Sequence, residues 1–300
     1  MSRAFRGILC SLTAVAFAAA APAGEPDAVA ASRPATRPAG FSIATYNILD
    51  KNLNLAEVVR SIRKAGADVV CLQEVNEAAK KYIRARLAKD YPHMHFHIHG
   101  TAGGQAFLSG VPLDKPKWVP PKHGMHGAYV AKVKLGGRTV QIMNAHLHPT
   151  LAARCRTMLE LIRLQAACEA IREKEMPYFH AALEPNVPTI IAGDFNSFST
   201  GRAPTHLKKL GYADSFASVT AEADRHPTWG WTLKTGIPVS FRLDYVFHTP
   251  DLRTLSSRVI ANRKASDHDI LVSRLNWKPK RATSRPAEEA VRRPTAAAGR

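Results

Sequence analysis

Nine short runs dense in β-branched and aromatic residues constrain this chain more than any other feature. They are FSIATYNI, ADVVCLQE, HMHFHIH, GQAFLS, GAYVAKVKL, RTVQIMNAHL, VPTIIAGDFN, SFRLDYVFHT and DILVSRL, bounded by turn-forming residues. Only three stretches carry helical periodicity. Leu55, Val58, Val59 and Ile62 fall at i, i+3, i+4 and i+7, with Asn54 and Glu57 in capping positions and Gly66 as a stop, which predicts a helix over 54–65. A second is predicted near 77–89. A third, from about 151 to 175, places Cys155, Met158, Leu159, Ile162 and Ala166 on one stripe. Gly136-Gly137 between two strand runs marks a hairpin. Helices that alternate irregularly with strands, and strands often joined by short turns, predict a layered α/β domain of mixed rather than purely parallel sheets.

The way these strands end carries the chemistry. Side chains alternate along a strand, so Val70, Leu72 and Glu74 share one side. So do Val140, Ile142, Asn144 and His146; Ile190, Ala192, Asp194 and Asn196; and Ile43, Thr45 and Asn47. Each row starts apolar and turns polar at its end. Asp244 sits just inside another strand, and Ala265-Ser266-Asp267-His268 leads into the last. A single acid at a strand end is usually a turn or cap residue. A group of them in one domain repel and cost stability unless a cation or hydrogen bonds compensate. Oxygen ligands from Glu74 and Asp267, with Asn47 or Asp194 as further candidates, suit a hard divalent ion: Mg²⁺ first, Mn²⁺ or Ca²⁺ next.

His93, His95, His97 and His99 present a different possibility, because imidazoles at every second position of a strand share a face and suit zinc or copper. Side chains along one strand face diverge, however, and no cysteine or carboxylate interrupts the row to close a tetrahedral cage. The row therefore predicts a strand with Met94, Phe96 and Ile98 on the core and its histidines in solvent.

Composition locates the domain. MSRAFRG followed by the uncharged run from Ile8 to Ala23 has the order of a secretory leader, with cleavage expected after Ala23. Residues 24–40 and 278–300 are rich in Pro, Ala and Arg without apolar periodicity and read as a disordered linker and a basic tail. The catalytic-size domain is then 41–277, in a protein expected to be secreted or periplasmic. Of the formal charge of +18, residues 1–40 hold +2 and 278–300 hold +5, so the domain itself keeps +11 and favours polyanionic partners. Cys155 and Cys168, 13 residues apart on the expected third helix, would lie about 20 Å apart, and Cys71 reads as a core residue, so no disulfide is expected.

T-Y-N at 45–47, L-Q-E at 72–74, N-A-H-L at 144–147, G-D-F-N at 193–196, R-L-D-Y at 242–245 and S-D-H at 266–268, in that order, resemble the endonuclease/exonuclease/phosphatase family. GQAFLSGVPL at 104–113 is similar to that family's glycine-led strand, so the resemblance spans Phe41 to Leu275. It implies a four-layer α/β/β/α sandwich of two mixed sheets flanked by helices, with the site at one edge. It further implies that Glu74 is the principal metal ligand with Asn47 and Asp267 nearby, that His268 is the general base, and that Asp244 fixes its tautomer and stabilises its imidazolium. Asp194 would position the attacking water or assist the leaving oxygen, and Asn196 and His146 would hydrogen-bond the phosphate. The reaction implied is one-step hydrolysis of a phosphoester by an activated water. Three positions depart from the family pattern: Ala145 where Thr or Ser is common, Gly110 where Arg is common, and Asp269-Ile270 where an apolar or aromatic residue and Pro usually follow S-D-H. The last bears on substrate placement.

Substrate class is then the open choice. The basic domain and His226-Pro227-Thr228-Trp229-Gly230-Trp231 suit a nuclease whose tryptophan stacks on a base while Lys and Arg meet phosphates. The same indoles suit a sphingomyelinase-like phospholipase at a lipid interface, or a cap on the core beneath the site. With no long apolar hairpin for membrane insertion, the sequence favours a nuclease-like phosphodiesterase acting as a monomer, ahead of phospholipase, inositol-phosphate phosphatase or a non-catalytic phosphate-binding module.

Overall fold

In the computed structural model, which describes residues 40–151 and 155–279, every one of the nine runs contributes a strand. The first half of the domain contains β1 (Phe41–Asn47), α1 (Leu55–Ala65), β2 (Val69–Gln73), α2 (Glu77–Leu87), β3 (His93–His97), β4 (Gln105–Ser109), β5 (Lys117–Val119), β6 (Ala128–Leu135) and β7 (Arg138–His146). The second contains α3 (Met158–His180), β8 (Thr189–Asp194), α4 (Arg202–Lys209), β9 (Ala213–Asp214), β10 (Trp229–Thr232), β11 (Pro238–Phe241), β12 (Asp244–His248), β13 (Leu252–Ile260) and β14 (Ile270–Trp277). The expected leader and most of the flanking segments lie outside the described residues.

Two six-stranded sheets result, ordered β13-β14-β1-β2-β4-β3 and β5-β6-β7-β8-β12-β9, with β10 and β11 forming a separate hairpin. Among the described strands only β1–β2 and β7–β8 pair in parallel, so both sheets are mixed. Three apolar layers hold them. Ile43, Cys71, Phe107, Val140, Ile142, Ile190 and Leu271 meet between the sheets. Val58, Ile62 and Ile83 of α1 and α2 pack on Tyr46, Val70 and Leu72 of the first sheet. Met176, Phe179 and Leu207 of α3 and α4 pack on Met143, Ile191 and Phe247 of the second. This is the four-layer sandwich. The β6–β7 hairpin turns on Gly136 and Gly137, both at positive φ (57° and 80°), the conformation a two-residue primed turn needs.

Several local expectations change. α1 ends on a left-handed Gly66, but the Asn54 side chain makes no cap, and Glu57 instead pairs with Arg60 and accepts from Asn262. Helix α3 begins at Met158 and buries Leu161, Gln165, Cys168, Arg172, Glu175, Met176 and Phe179. The expected stripe faces outward, with Leu159 and Ile162 more than half exposed and Cys155 ahead of the helix. Periodicity pointed to the wrong face because three of these seven buried residues, Gln165, Arg172 and Glu175, are polar. Among the described residues, Cys71, Cys155 and Cys168 are free and buried.

His93, His95 and His97 belong to β3, an edge strand of the first sheet, and His99 follows it, with Met94, Phe96 and Ile98 on the helix-side core as expected. Its histidines are not simply solvated. His97 stacks on Trp118 of β5 at 4.0 Å, and His99 lies 5.5 Å from the same indole. Because β3 and β5 are the edges of the two sheets, these rings close the mouth of the sandwich there. Among the described residues, the row forms no three-ligand metal cluster.

Candidate active site

Parallel pairing of β1 with β2 and of β7 with β8 sends Asn47, Gln73, His146 and Asp194 to one end of the sandwich. Antiparallel pairing brings the starts of β12 and β14 to the same end. Register does the rest: His146 lies opposite Asp194, which lies opposite Asp244.

Glu74 arrives by a different route from the one alternation suggests. Val70 and Leu72 face the helix-side core, not the inter-sheet core, so simple continuation would aim Glu74 at the helices. The strand stops at Gln73, and Glu74 takes a left-handed conformation (φ 59°) that redirects its carboxylate. Asn196 is also left-handed (φ 51°). For non-glycine residues this conformation is uncommon and persists where surrounding contacts over-determine it.

The Asn47 amide donates to Glu74 Oε1 at 2.8 Å and to Asp194 Oδ2 at 3.1 Å, tying the two sheets together. The Asp50 backbone N–H donates to Glu74 Oε2 at 2.9 Å. His268 Nδ1 meets Asp244 Oδ2 at 2.9 Å, while its Nε2 lies 3.5 Å from Asp194 Oδ2. Thr228 Oγ1 accepts from the Asp244 N–H, and the buried indole of Trp229 donates to Asp267 Oδ2 at 3.1 Å. The tryptophan pair therefore divides: Trp229 braces the site, and Trp231 stands 37% exposed. His146 is fully buried, stacked on His126 at 4.0 Å, with Nε2 3.7 Å from Asp194 and 4.0 Å from Glu74. Asn196 donates to the Leu147 carbonyl and from its backbone to Asp194 Oδ1. All eight residues singled out from the sequence thus lie at this one end.

Charge explains the ionisation pattern. Burial raises the carboxyls of Glu74 and Asp194, against the Asn47 hydrogen bond to the first and the pull of His268 on the second. Burial also opposes a charge on His268, but Asp244, Asp194 and Asp267 outweigh it and raise the imidazole to about 10. Burial, reinforced by His126 and His268, holds His146 well below the usual histidine range, so it is neutral.

These residues fit a divalent cation. Asp244 Oδ1 is buried without a partner, buried carboxylates outnumber the cationic groups beside them, and ligand atoms of Asp194, Asp244 and His268 come within 4.8 Å of one another. That trio is not the set read from the sequence. The expected oxygen set of Glu74, Asn47 and Asp267 lies at the same end, with the Asn47 amide donating to Glu74 and Asp194 and its Oδ1 accepting from the Leu49 N–H.

Sequence reading missed the support behind this end. Arg172, fully buried on α3, donates to the His148 carbonyl at 2.7 Å, Thr150 Oγ1 at 2.6 Å and Glu169 Oε1 at 2.9 Å. Glu169 also accepts from Ser197 Oγ and the Arg202 N–H, Gln165 donates to the Asn196 carbonyl, and Glu175 accepts from the His148 N–H. One polar helix face thus clamps both the loop after His146 and the loop carrying Asn196. The available signal was the spacing of Gln165, Glu169, Arg172 and Glu175 at i+4 and i+3.

Beside Asp267 opens a groove of about 910 Å³ lined by Lys51, Leu53, Trp231, Arg263 and Lys264 among others. The site thus combines a buried acid–imidazole cluster with an adjoining basic cleft.

Known proteins share this fold. The fold is similar to the endonuclease/exonuclease/phosphatase from Beutenbergia cavernae DSM 12333, with a TM-score of 0.63 at 21% identity over 80% of this chain and 72% of that one. It is also similar to D. rerio TDP2 complexed with single strand DNA product, with a TM-score of 0.61 at 19% identity over 80% of this chain and 100% of that one. A Bacteroides vulgatus endonuclease/exonuclease/phosphatase gives 0.60 at 18% identity over 80% and 100%. A comparison with curated proteins returns no match. The model of the Endonuclease/Exonuclease/phosphatase family matches residues 44–268, three quarters of the sequence and a span that holds all eight candidate site residues. The chain therefore belongs to the endonuclease/exonuclease/phosphatase family and is a metal-dependent phosphodiesterase or phosphatase.

Proposed function

We propose that the protein is an exported, Mg²⁺-dependent phosphodiesterase that hydrolyses nucleic-acid-like substrates with water activated by His268, and that it acts as a monomer. The observation that carries this reading is the 2.9 Å bond from Asp244 to His268 Nδ1. It leaves Nε2, 3.5 Å from Asp194, as the nitrogen that takes a proton from water whenever the ring is deprotonated, a form that the raised imidazole pKa makes most abundant at alkaline pH. Asp244 orients the ring and offsets the charge it gains. Asp194 orients the water or assists the leaving oxygen. His146, neutral and buried, donates an N–H to a phosphate oxygen, and the second N–H of the Asn196 amide does the same. Glu74, Asn47 and Asp267 would hold the ion. When bound, the ion supplies positive charge against the scissile phosphate and the departing oxygen.

The groove with Lys51, Arg263, Lys264 and the exposed Trp231 supports a nucleic-acid strand as the occupant. Fully exposed Leu53 on the same groove supports a second reading, a phospholipid headgroup at a membrane surface. Export rests on residues 1–23, and N-terminal sequencing of exported material should begin at Gly24.

A substrate panel decides: plasmid DNA, RNA, sphingomyelin, phosphoinositides and bis(p-nitrophenyl) phosphate, each with Mg²⁺, with EDTA and with His268→Ala. The expected result is cleavage of a nucleic acid by wild type with Mg²⁺ and by neither control. Cleavage of sphingomyelin alone would establish the lipid reading, and turnover that persists in EDTA would overturn both.

A further inference from the structure

The departure from the family pattern directly after S-D-H has a structural consequence. Asp269 is buried, 4% exposed, and its carboxylate bonds to the loop before it. Its Oδ1 accepts from the Asn262 N–H at 3.0 Å, and its Oδ2 meets Arg263 Nη2 at 2.9 Å. Arg263 Nη1 in turn donates to the Asp267 carbonyl, and the guanidinium lies over Gly230, where an added Cβ would stand 3.1 Å from Nη1. Arg263 is thus held rigidly on the wall of the groove, next to Asp267, with 38% of its side chain exposed. Guanidinium carries five N–H donors in a fixed fork, so two anchoring bonds leave three for a ligand. Lys51 and Lys264 line the same groove.

We propose that Arg263, positioned by Asp269, binds a non-scissile phosphate of a nucleic-acid strand, the one adjacent to the phosphodiester undergoing hydrolysis. The inference rests on the phosphodiesterase reading and deepens it: Arg263 selects substrates that carry a second phosphate over simple diesters. An exposed lysine would not substitute, because it cannot satisfy Asp269 and the Asp267 carbonyl and still present a planar pair of donors.

The test compares bis(p-nitrophenyl) phosphate, with one phosphate, against a short single-stranded oligonucleotide. Arg263→Ala should raise KM for the oligonucleotide about tenfold more than for the single diester, the loss of one charge-assisted contact. Arg263→Lys should not restore it, and Lys132→Ala, which also removes one positive charge, should leave the ratio unchanged. Asp269→Asn should raise the oligonucleotide KM while keeping the salt dependence, since the arginine charge stays; Arg263→Ala should lower the salt slope by about 0.7. Anisotropy of a fluorescein-labelled oligonucleotide on the His268→Ala background reads affinity without turnover. If neither ester is cleaved but Arg263→Ala still weakens this binding, the hydrolase reading fails and the arginine site stands. Equal effects on both esters, or unchanged oligonucleotide affinity, would overturn the arginine site.

Discussion

Glu175→Gln isolates what the polar face of α3 costs and contributes. Glu175 is fully buried; Oε2 accepts from the His148 N–H at 2.8 Å, whereas Oε1 has no partner and packs against Gly124, where a Cβ would overlap it. Burial raises this carboxyl from 4.5 to about 7, against the His148 hydrogen bond and the Arg172 charge. A carboxyl whose folded pKa is raised binds protons more tightly in the folded state. Its contribution is therefore most favourable at low pH and is lost as pH climbs from the unfolded value to the folded one. Integrated over that window, the wild type should lose about 2–3 kcal/mol between pH 5 and pH 9 at this residue. Glutamine keeps the shape and the acceptor for His148 but does not ionise. Its stability relative to wild type should therefore rise by that amount across the same range, roughly 5–10 °C in Tm for a domain of this size. Thermal unfolding of both proteins at pH 5, 7 and 9 measures the difference. Two parallel Tm curves would refute the reasoning, because they would mean that Glu175 does not titrate between pH 5 and 9.

Three further perturbations follow from the same contacts. Arg172→Met strands Glu169 and Glu175 without their cation and should cost about 3–5 kcal/mol, read in a urea melt, with a smaller loss for Arg172→Lys. Asp244→Asn removes the charge that most raises His268, so kcat should fall by roughly 10²–10⁴ and the acid limb of the remaining pH profile should move to lower pH. Gly193→Ala places a Cβ on the Ala145 carbonyl across the β7–β8 pairing (φ 156° at Gly193), so activity should be lost together with about 1–3 kcal/mol of stability, measured by circular dichroism and turnover on the same sample.

The rows ending in Asn47, His146 and Asp194 were legible because alternation in a paired strand is geometric: every second residue faces the same way, and the inter-sheet layer of Ile43, Ile142 and Ile190 fixes which way. Glu74 was found for a reason that does not hold, since its strand faces the helices and only a left-handed residue returns the carboxylate to the site. No residue pattern announces that reversal, because a glutamate reaches positive φ only when its neighbours hold it there. The buried face of α3 was illegible for a related reason. Gln165, Arg172 and Glu175 look like surface residues until partners from other segments satisfy them, and those partners, His148, Thr150 and Asn196, come from loops that only the fold brings near. The tryptophans show the same division: one short strand, β10, yields one indole bonded to Asp267 and one open to the groove. What the sequence determined by itself was nine strand-bearing runs, though not β5, β9, β10 or β13, and the chemistry at the strand tips, since both follow from local alternation and residue type. Tertiary structure alone decided which polar groups are buried together, because the energy of a buried charge depends on neighbours distant in the chain.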